Sequence, residues 1–174
     1  MRTIFFILLL IVCNSCSNDD DTNCQGIDCL PPATQTGEGT FGCLVNGKPF
    51  VDNSGFFNCF YQLVNGEYYF GIGSNNEQAG LSQIIIGSTA KEITTNTSIE
   101  LNNNAFSEFY AEIGLLDTQG DFTTTNLQDG TVMFTEFNTN SNIVSAIFEF
   151  TIQIPSTGET IEITEGRFDS FFTQ

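Results

Sequence analysis

From residue 40 onward the chain alternates between apolar and polar positions. Short runs rich in Phe, Ile, Val, Thr and Tyr change character every second residue and are separated by Asn-Gly, Asp-Gly or other glycine-containing turns. Alternation of period two marks a strand with one buried face. Strands are expected over residues 41–45, 48–51, 57–63, 68–74, 81–87, 93–101, 108–116, 131–138, 145–154 and 160–170. No stretch after residue 40 sustains a helical period. About ten short strands at this spacing predict an all-β fold, an antiparallel β-sandwich or a partly open β-barrel.

The clearest hairpin turns at Asn65-Gly66, a pair suited to a type I′ turn because both central residues must take positive φ. Pairing outward sets Leu63 opposite Tyr68, Tyr61 opposite Phe70 and Cys59 opposite Ile72, and these six should face the core. Gln62, Val64, Glu67 and Tyr69 fall on the other face. Asn46-Gly47 predicts a second, tighter hairpin. In the penultimate strand Phe148, Phe150, Ile152 and Ile154 alternate with Glu149, Thr151 and Gln153, giving one dry face and one wet. Lys and Pro are scarce for guarding sheet edges, so net negative charge is expected to do that work.

The first residues follow a different rule. Arg2 precedes an unbroken apolar run from Ile4 to Val12, too short for the ~20 residues of a membrane span, and the small Ser15 stands directly before Cys16. This is the layout of a cleaved export signal, residues 1–15. Cys13 competes as the cleavage-site cysteine, but the bulky Val12 before it fits a peptidase pocket poorly, so Cys16 is preferred. The segment resembles the signal of bacterial lipoproteins, which implies a diacylglycerol on the Cys16 thiol as a lipid anchor. Ser17, Asn18, Asp19, Asp20 and Asp21 resemble the acidic export tag of Bacteroidetes surface lipoproteins. That implies an outer-membrane lipoprotein at the cell surface, with periplasm-facing attachment and a plain solvated linker as the alternatives. Residues 16–38, polar and containing Pro31-Pro32, read as a flexible tether, and residues 39–174 as a single β-rich domain.

The chain carries four Lys and Arg against 21 Asp and Glu, for a net charge of −17. Loss of the signal leaves Lys48, Lys91 and Arg167, so the mature chain stands at −18. Three scattered cations cannot neutralise phosphates, which excludes nucleic acid as a partner and disfavours adsorption of the body onto anionic lipid. Eighteen Phe and no Trp give the core its character. With no His anywhere, histidine-based triads, histidine-ligated zinc and histidine pH switches are all removed.

Two tracts carry a further resemblance. Leu30-Pro31-Pro32-Ala33-Thr34-Gln35-Thr36-Gly37, followed by Thr40-Phe41-Gly42-Cys43-Leu44-Val45-Asn46-Gly47-Lys48, resembles the opening of a family of Bacteroidetes lipoproteins of unknown function. Glu165-Gly166-Arg167-Phe168-Asp169 resembles that family's ending. The resemblance implies a small β-rich envelope domain and transfers no catalytic residue.

Cys24, Cys29, Cys43 and Cys59 meet an oxidising compartment after export, so disulfides are expected. Cys43 with Cys59 is the favoured pair, on strands taken as neighbours, while Cys24 and Cys29 can close a small loop. A four-thiolate zinc site is the sharper alternative, without the paired Cys-x-x-Cys knuckles it normally uses, and buried free thiols are the remaining one. Arg167, flanked by Glu165 and Asp169 on the same strand face, reads either as an anion site or as an arginine held by its acids to fix register. Acid and amide clusters at Asp52-Asn53, Asn75-Asn76-Glu77 and Asp117 to Asp121 offer oxygen ligands for Ca²⁺, yet these are also ordinary turn residues. Tyr61, Tyr68, Tyr69 and Tyr110 are candidates for stacking on a sugar. Tyr61 and Tyr68 belong to the expected core, which leaves Tyr69 and Phe60 as the better exposed pair. The chain is therefore expected to be a non-catalytic binding or accessory module for a glycan, a peptide or another envelope protein. The alternatives are a purely structural envelope domain and a carboxylate-based hydrolase.

Overall fold

A computed structural model describes residues 24–52, 54, 57–102, 106, 108–117, 121–124 and 129–174. Among the described residues a 3₁₀ turn, Gly26–Cys29, precedes eleven strands. These are β1 (Thr40–Val45), β2 (Lys48–Asp52), β3 (Asn58–Val64), β4 (Glu67–Ser74), β5 (Leu81–Thr89), β6 (Ile99–Asn102), β7 (Glu108–Leu115), β8 (Asp121–Thr123), β9 (Gly130–Asn138), β10 (Ile143–Gln153) and β11 (Thr160–Phe171). They form one sheet, not closed into a barrel, in the order β2-β1-β11-β10-β9-β6-β7-β5-β4-β3, with β8 paired on β7.

The sheet folds over on itself at β6. Ile99 and Glu100 pair antiparallel with β9, and the next two residues, Leu101 and Asn102, pair parallel with β7. One short strand thus passes the ladder from one half of the sheet to the other, as corner strands do in sandwiches. The halves meet through phenylalanine. Phe70 of β4 lies with its ring centroid 5.3 Å from that of Phe134 on β9 and 6.2 Å from that of Phe168 on β11. Phe41, Phe148 and Phe168 extend the cluster. Each fully buried ring contributes roughly 1.5–3 kcal/mol relative to exposure.

Both Asn-Gly turns form as expected: Asn46-Gly47 and Asn65-Gly66 all have positive φ. The β3–β4 register pairs Leu63 with Tyr68, Tyr61 with Phe70 and Cys59 with Ile72. Of these, Leu63 is 59% exposed, as part of a hairpin tip that is exposed from Gln62 to Glu67. The strand expected over residues 93–101 is shortened to Ile99–Asn102; Ile93 is buried outside any strand, and Lys91 N–H donates to the Tyr68 carbonyl instead of continuing a ladder. The three-residue β8 was not expected.

Sheet edges are guarded by specific contacts rather than by charge alone. On β2, Pro49 removes a donor, and the Val51 N–H donates to Gln78 Oε1 over 2.8 Å. On β3, Tyr61 N–H donates to the Thr173 carbonyl and Thr173 N–H to the Cys59 carbonyl, so the chain end covers that edge.

The segment read as a flexible tether is docked over its second half. Leu30 and Pro31 are buried against Gly42, where a side chain on β1 would collide with the proline ring. Polar composition concealed this, because beyond Leu30 and Pro31 the docking is done by the Thr34 hydroxyl and backbone N–H groups on a single carboxylate.

Candidate functional site

That carboxylate belongs to Asp169 on β11. It is 1% exposed and lies on the outer face of the first half-sheet, beside Thr40 on one neighbour and Ser145 on the other. Thr34 Oγ1 and Ser145 Oγ each donate to it over 2.7 Å, and the N–H groups of Thr36, Gly37 and Glu38 donate over 3.0, 2.9 and 3.2 Å. Burial alone would raise its pKa. The donated hydrogen bonds outweigh burial and hold it below the ordinary carboxylate value.

Arg167 does not share in this cluster. Its guanidinium pairs with Glu165 Oε2 over 3.1 Å, and its Nε donates to the Glu165 carbonyl over 3.1 Å. Glu165 sits at φ 54°, where the registers of β1 and β10 against β11 both shift. The arginine therefore fastens a bulge, with Glu165 alone of its two flanking acids as its ion-pair partner.

The cysteines divide differently from the favoured pairing. Cys24 and Cys29 form the disulfide, with Cα atoms 5.2 Å apart. Cys43 and Cys59 are free and buried. Their strands are not neighbours: β1 lies between β2 and β11, and β3 is the far end of the ladder. Burial pushes both thiols up to about 12, for Cys59 against a partly offsetting hydrogen bond with Ser170. With one pair oxidised and the others apart in the ladder, the four-thiolate zinc site is ruled out. Among the described residues no three His, Cys, Asp or Glu side chains gather to hold a metal ion. Of the acidic clusters, Asp52 accepts from Ser54 N–H and Ser74 Oγ, and Asp121 accepts from Gln83. Asn53 and residues 118–120 lie outside the described residues, as do the signal 1–15, Cys16 and the acidic run 17–21.

The opposite outer face, on β3, β4, β5 and β7, has another character. The cross-strand row Phe60–Gly71–Gly87–Tyr110 runs over four neighbouring strands. A Cβ at Gly71 would come 2.6 Å from the Phe60 ring, and one at Gly87 would come 2.7 Å from Tyr110. Each half-buried ring thus lies down over the glycine of the adjacent strand. In the next row stand Asn58, Gly73, Ile85 and Glu112. Between the two rings and the Asn58, Gly73 and Ile85 positions of this row is a depression of about 330 Å³, bordered also by Asn75 and Gln83, with Glu112 outside it. Among the described residues no charged side chain lines it.

Tyr110 is raised above the usual phenol value by burial and then by the nearby Glu112 charge. Glu112 is raised by burial and by Asp121, with partial relief from the Thr123 hydroxyl. The phenol stays protonated at neutral pH and can both donate and accept.

Of the aromatic candidates, Phe60 borders the depression and Tyr69 does not. Tyr110 takes the place expected for Tyr69. Tyr61, in the core, stacks at 4.7 Å on Tyr68, which packs against it, and burial pushes Tyr61 up to about 12. The signal available in sequence was Gly71-Ile72-Gly73, two glycines on one strand face with none of the side chains an outer face normally carries. Compared with protein-family models, curated proteins and solved structures, the chain matches none.

Proposed function

We propose that the chain is a lipid-anchored envelope protein, held through an acylated Cys16 and displayed at the outer surface, whose body is a non-catalytic binding module. The observation that carries this reading is the difference between the two outer faces. The face on β1, β11 and β10 is overlaid by residues 30–38, the segment that arrives from the Cys16 side. The face on β3, β4, β5 and β7 holds the uncharged depression, whereas the depressions on β9, β10 and β11 are bordered by Glu149, Glu162 and Glu165. A module moored along one side leaves the other for a ligand.

The lining supports binding rather than hydrolysis. Glycoside hydrolysis by carboxylates needs two of them flanking the bond, and among the described residues no acid borders this depression. Anchoring is tested by mass spectrometry of the N-terminal peptide from whole cells, together with protease shaving of intact cells. Diacylated Cys16 and release of body peptides by shaving are expected. An unacylated, uncleaved N-terminus overturns the anchor, and resistance to shaving overturns surface display.

A further inference from the structure

We propose that the depression between Phe60 and Tyr110 is a subsite for a neutral sugar ring of an oligosaccharide. The proposal rests on the reading of the body as a binding module and names its ligand class.

Three observations select this chemistry. First, the two rings are seated against Gly71 and Gly87, whose missing side chains make room for them. A ring fixed this way is a preorganised apolar plane, which binds at little entropic cost. A pyranose offers the complementary surface, since its axial C–H groups form an apolar face and its hydroxyls ring the edge. Second, the polar groups at the border are the amides of Asn58, Asn75 and Gln83 and the Tyr110 phenol. Each can donate and accept, which is what a hydroxyl requires of its partner. Third, the charge around the site is of one sign. Glu112 stands next to Ile85, and Asp121 takes a 2.9 Å hydrogen bond from Gln83. The three cations of the mature chain lie elsewhere, so a uronate, sulfate or phosphate ligand meets repulsion without a counter-charge. A ligand ammonium would find no carboxylate in the lining to pair with. A volume of about 330 Å³ is at the lower end of small-ligand sites, roughly 300–1,000 Å³, and suits one or two rings of a chain that continues over the surface.

The test uses the full-length lipidated protein in a zwitterionic detergent, since sugar-headed detergents would compete. Neutral hexasaccharides of glucose, mannose and xylose, hexagalacturonate, and a set of uncharged hexapeptides are titrated by calorimetry and by tyrosine emission, which no tryptophan obscures. At least one neutral hexasaccharide is expected to bind with Kd in the range of about 10 μM to 1 mM. Phe60→Ala and Tyr110→Ala should each weaken it about tenfold. Because these changes also uncover glycines, Asn58→Ala and Gln83→Ala serve as a second pair that leaves both rings in place, with a loss of about threefold. Preference for hexagalacturonate overturns the proposal, as does binding indifferent to all four substitutions. Binding of peptides alone, sensitive to Phe60→Ala, overturns the ligand class and leaves the binding module standing. Binding of nothing in the panel overturns both.

Discussion

Thr34 and Asp169 are joined by a 2.7 Å hydrogen bond across 135 positions of sequence, and it fastens the entering chain to the last strand. Four more donors converge on the same buried carboxylate. Asparagine at 169 would lose the charge and turn an NH₂ group toward N–H donors, leaving some of them unpaired. Asp169→Asn is expected to cost about 3 kcal/mol, as a multiply bonded buried carboxylate should. Urea unfolding measures this, and a cost below about 1 kcal/mol would show that the cluster is dispensable.

The same residue sets an acid limit. A carboxylate whose folded pKa lies below its unfolded value contributes stability that is fully present above the unfolded value, about 3.9, and is lost as pH falls through the folded one. Unfolding free energy of the native chain should therefore drop as pH falls below about 4 more steeply than that of Asp169→Asn. Parallel curves for the two proteins would contradict the assignment.

Glu112 works in the opposite sense. Its folded pKa is raised by burial and by Asp121, so the folded state holds the proton more tightly than the unfolded state does. Its contribution is most favourable below the unfolded value, about 4.3, and is lost as pH rises through the folded one. Glu112→Gln should raise the melting temperature at pH 7.5 and bring no gain at pH 4. An equal shift at both values would trace the effect to packing instead.

What could be read from the chain was whatever depends on near neighbours. The pairing of Cys59 with Ile72 and of Tyr61 with Phe70 follows from two local facts, the Asn65-Gly66 turn and the alternation on either side of it. The inward row Phe148, Phe150, Ile152 and Ile154 likewise needs only period two. Folding over at β6 is different, because it depends on two residues pairing one way and the next two another. The Asp169 cluster was hidden for the same reason. Thr34, Thr36 and Gly37 look like a polar tether until a carboxylate more than 130 residues away is placed among them. The opening and closing tracts that carried the family resemblance are the two segments that meet there.

The cysteines give a prediction by counting. Leaving aside Cys13 and Cys16, the chain holds one disulfide, Cys24–Cys29, and two buried thiols. With their pKa pushed up to about 12, on the order of one thiol in 10⁴ is ionised at pH 8, and the thiolate is the reactive form. A chromogenic disulfide reagent should find no thiol in the native protein, two in guanidinium, and four in guanidinium after reduction. Two native-state reactive thiols, or none in guanidinium before reduction, would reverse the assignment. Reduction of the native protein should cost about 2 kcal/mol, the value for so short a loop, and leave the strands folded.

Gly87 separates the aromatic surface from the fold beneath it. A methyl group there would meet the Tyr110 ring and hydroxyl at 2.7 Å. The obstacle is the far end of a side chain that can rotate away, so the backbone of β5 need not move, and the cost to stability should stay within about 1 kcal/mol. The ring, however, must lift from its seat beside the depression. Gly87→Ala should therefore leave the melting temperature nearly unchanged, alter tyrosine emission, and weaken a neutral hexasaccharide about as much as Tyr110→Ala does. A large fall in stability would mean that Tyr110 is part of the packing that holds β5 to β7. Unchanged affinity with a displaced ring would remove Tyr110 from the sugar surface.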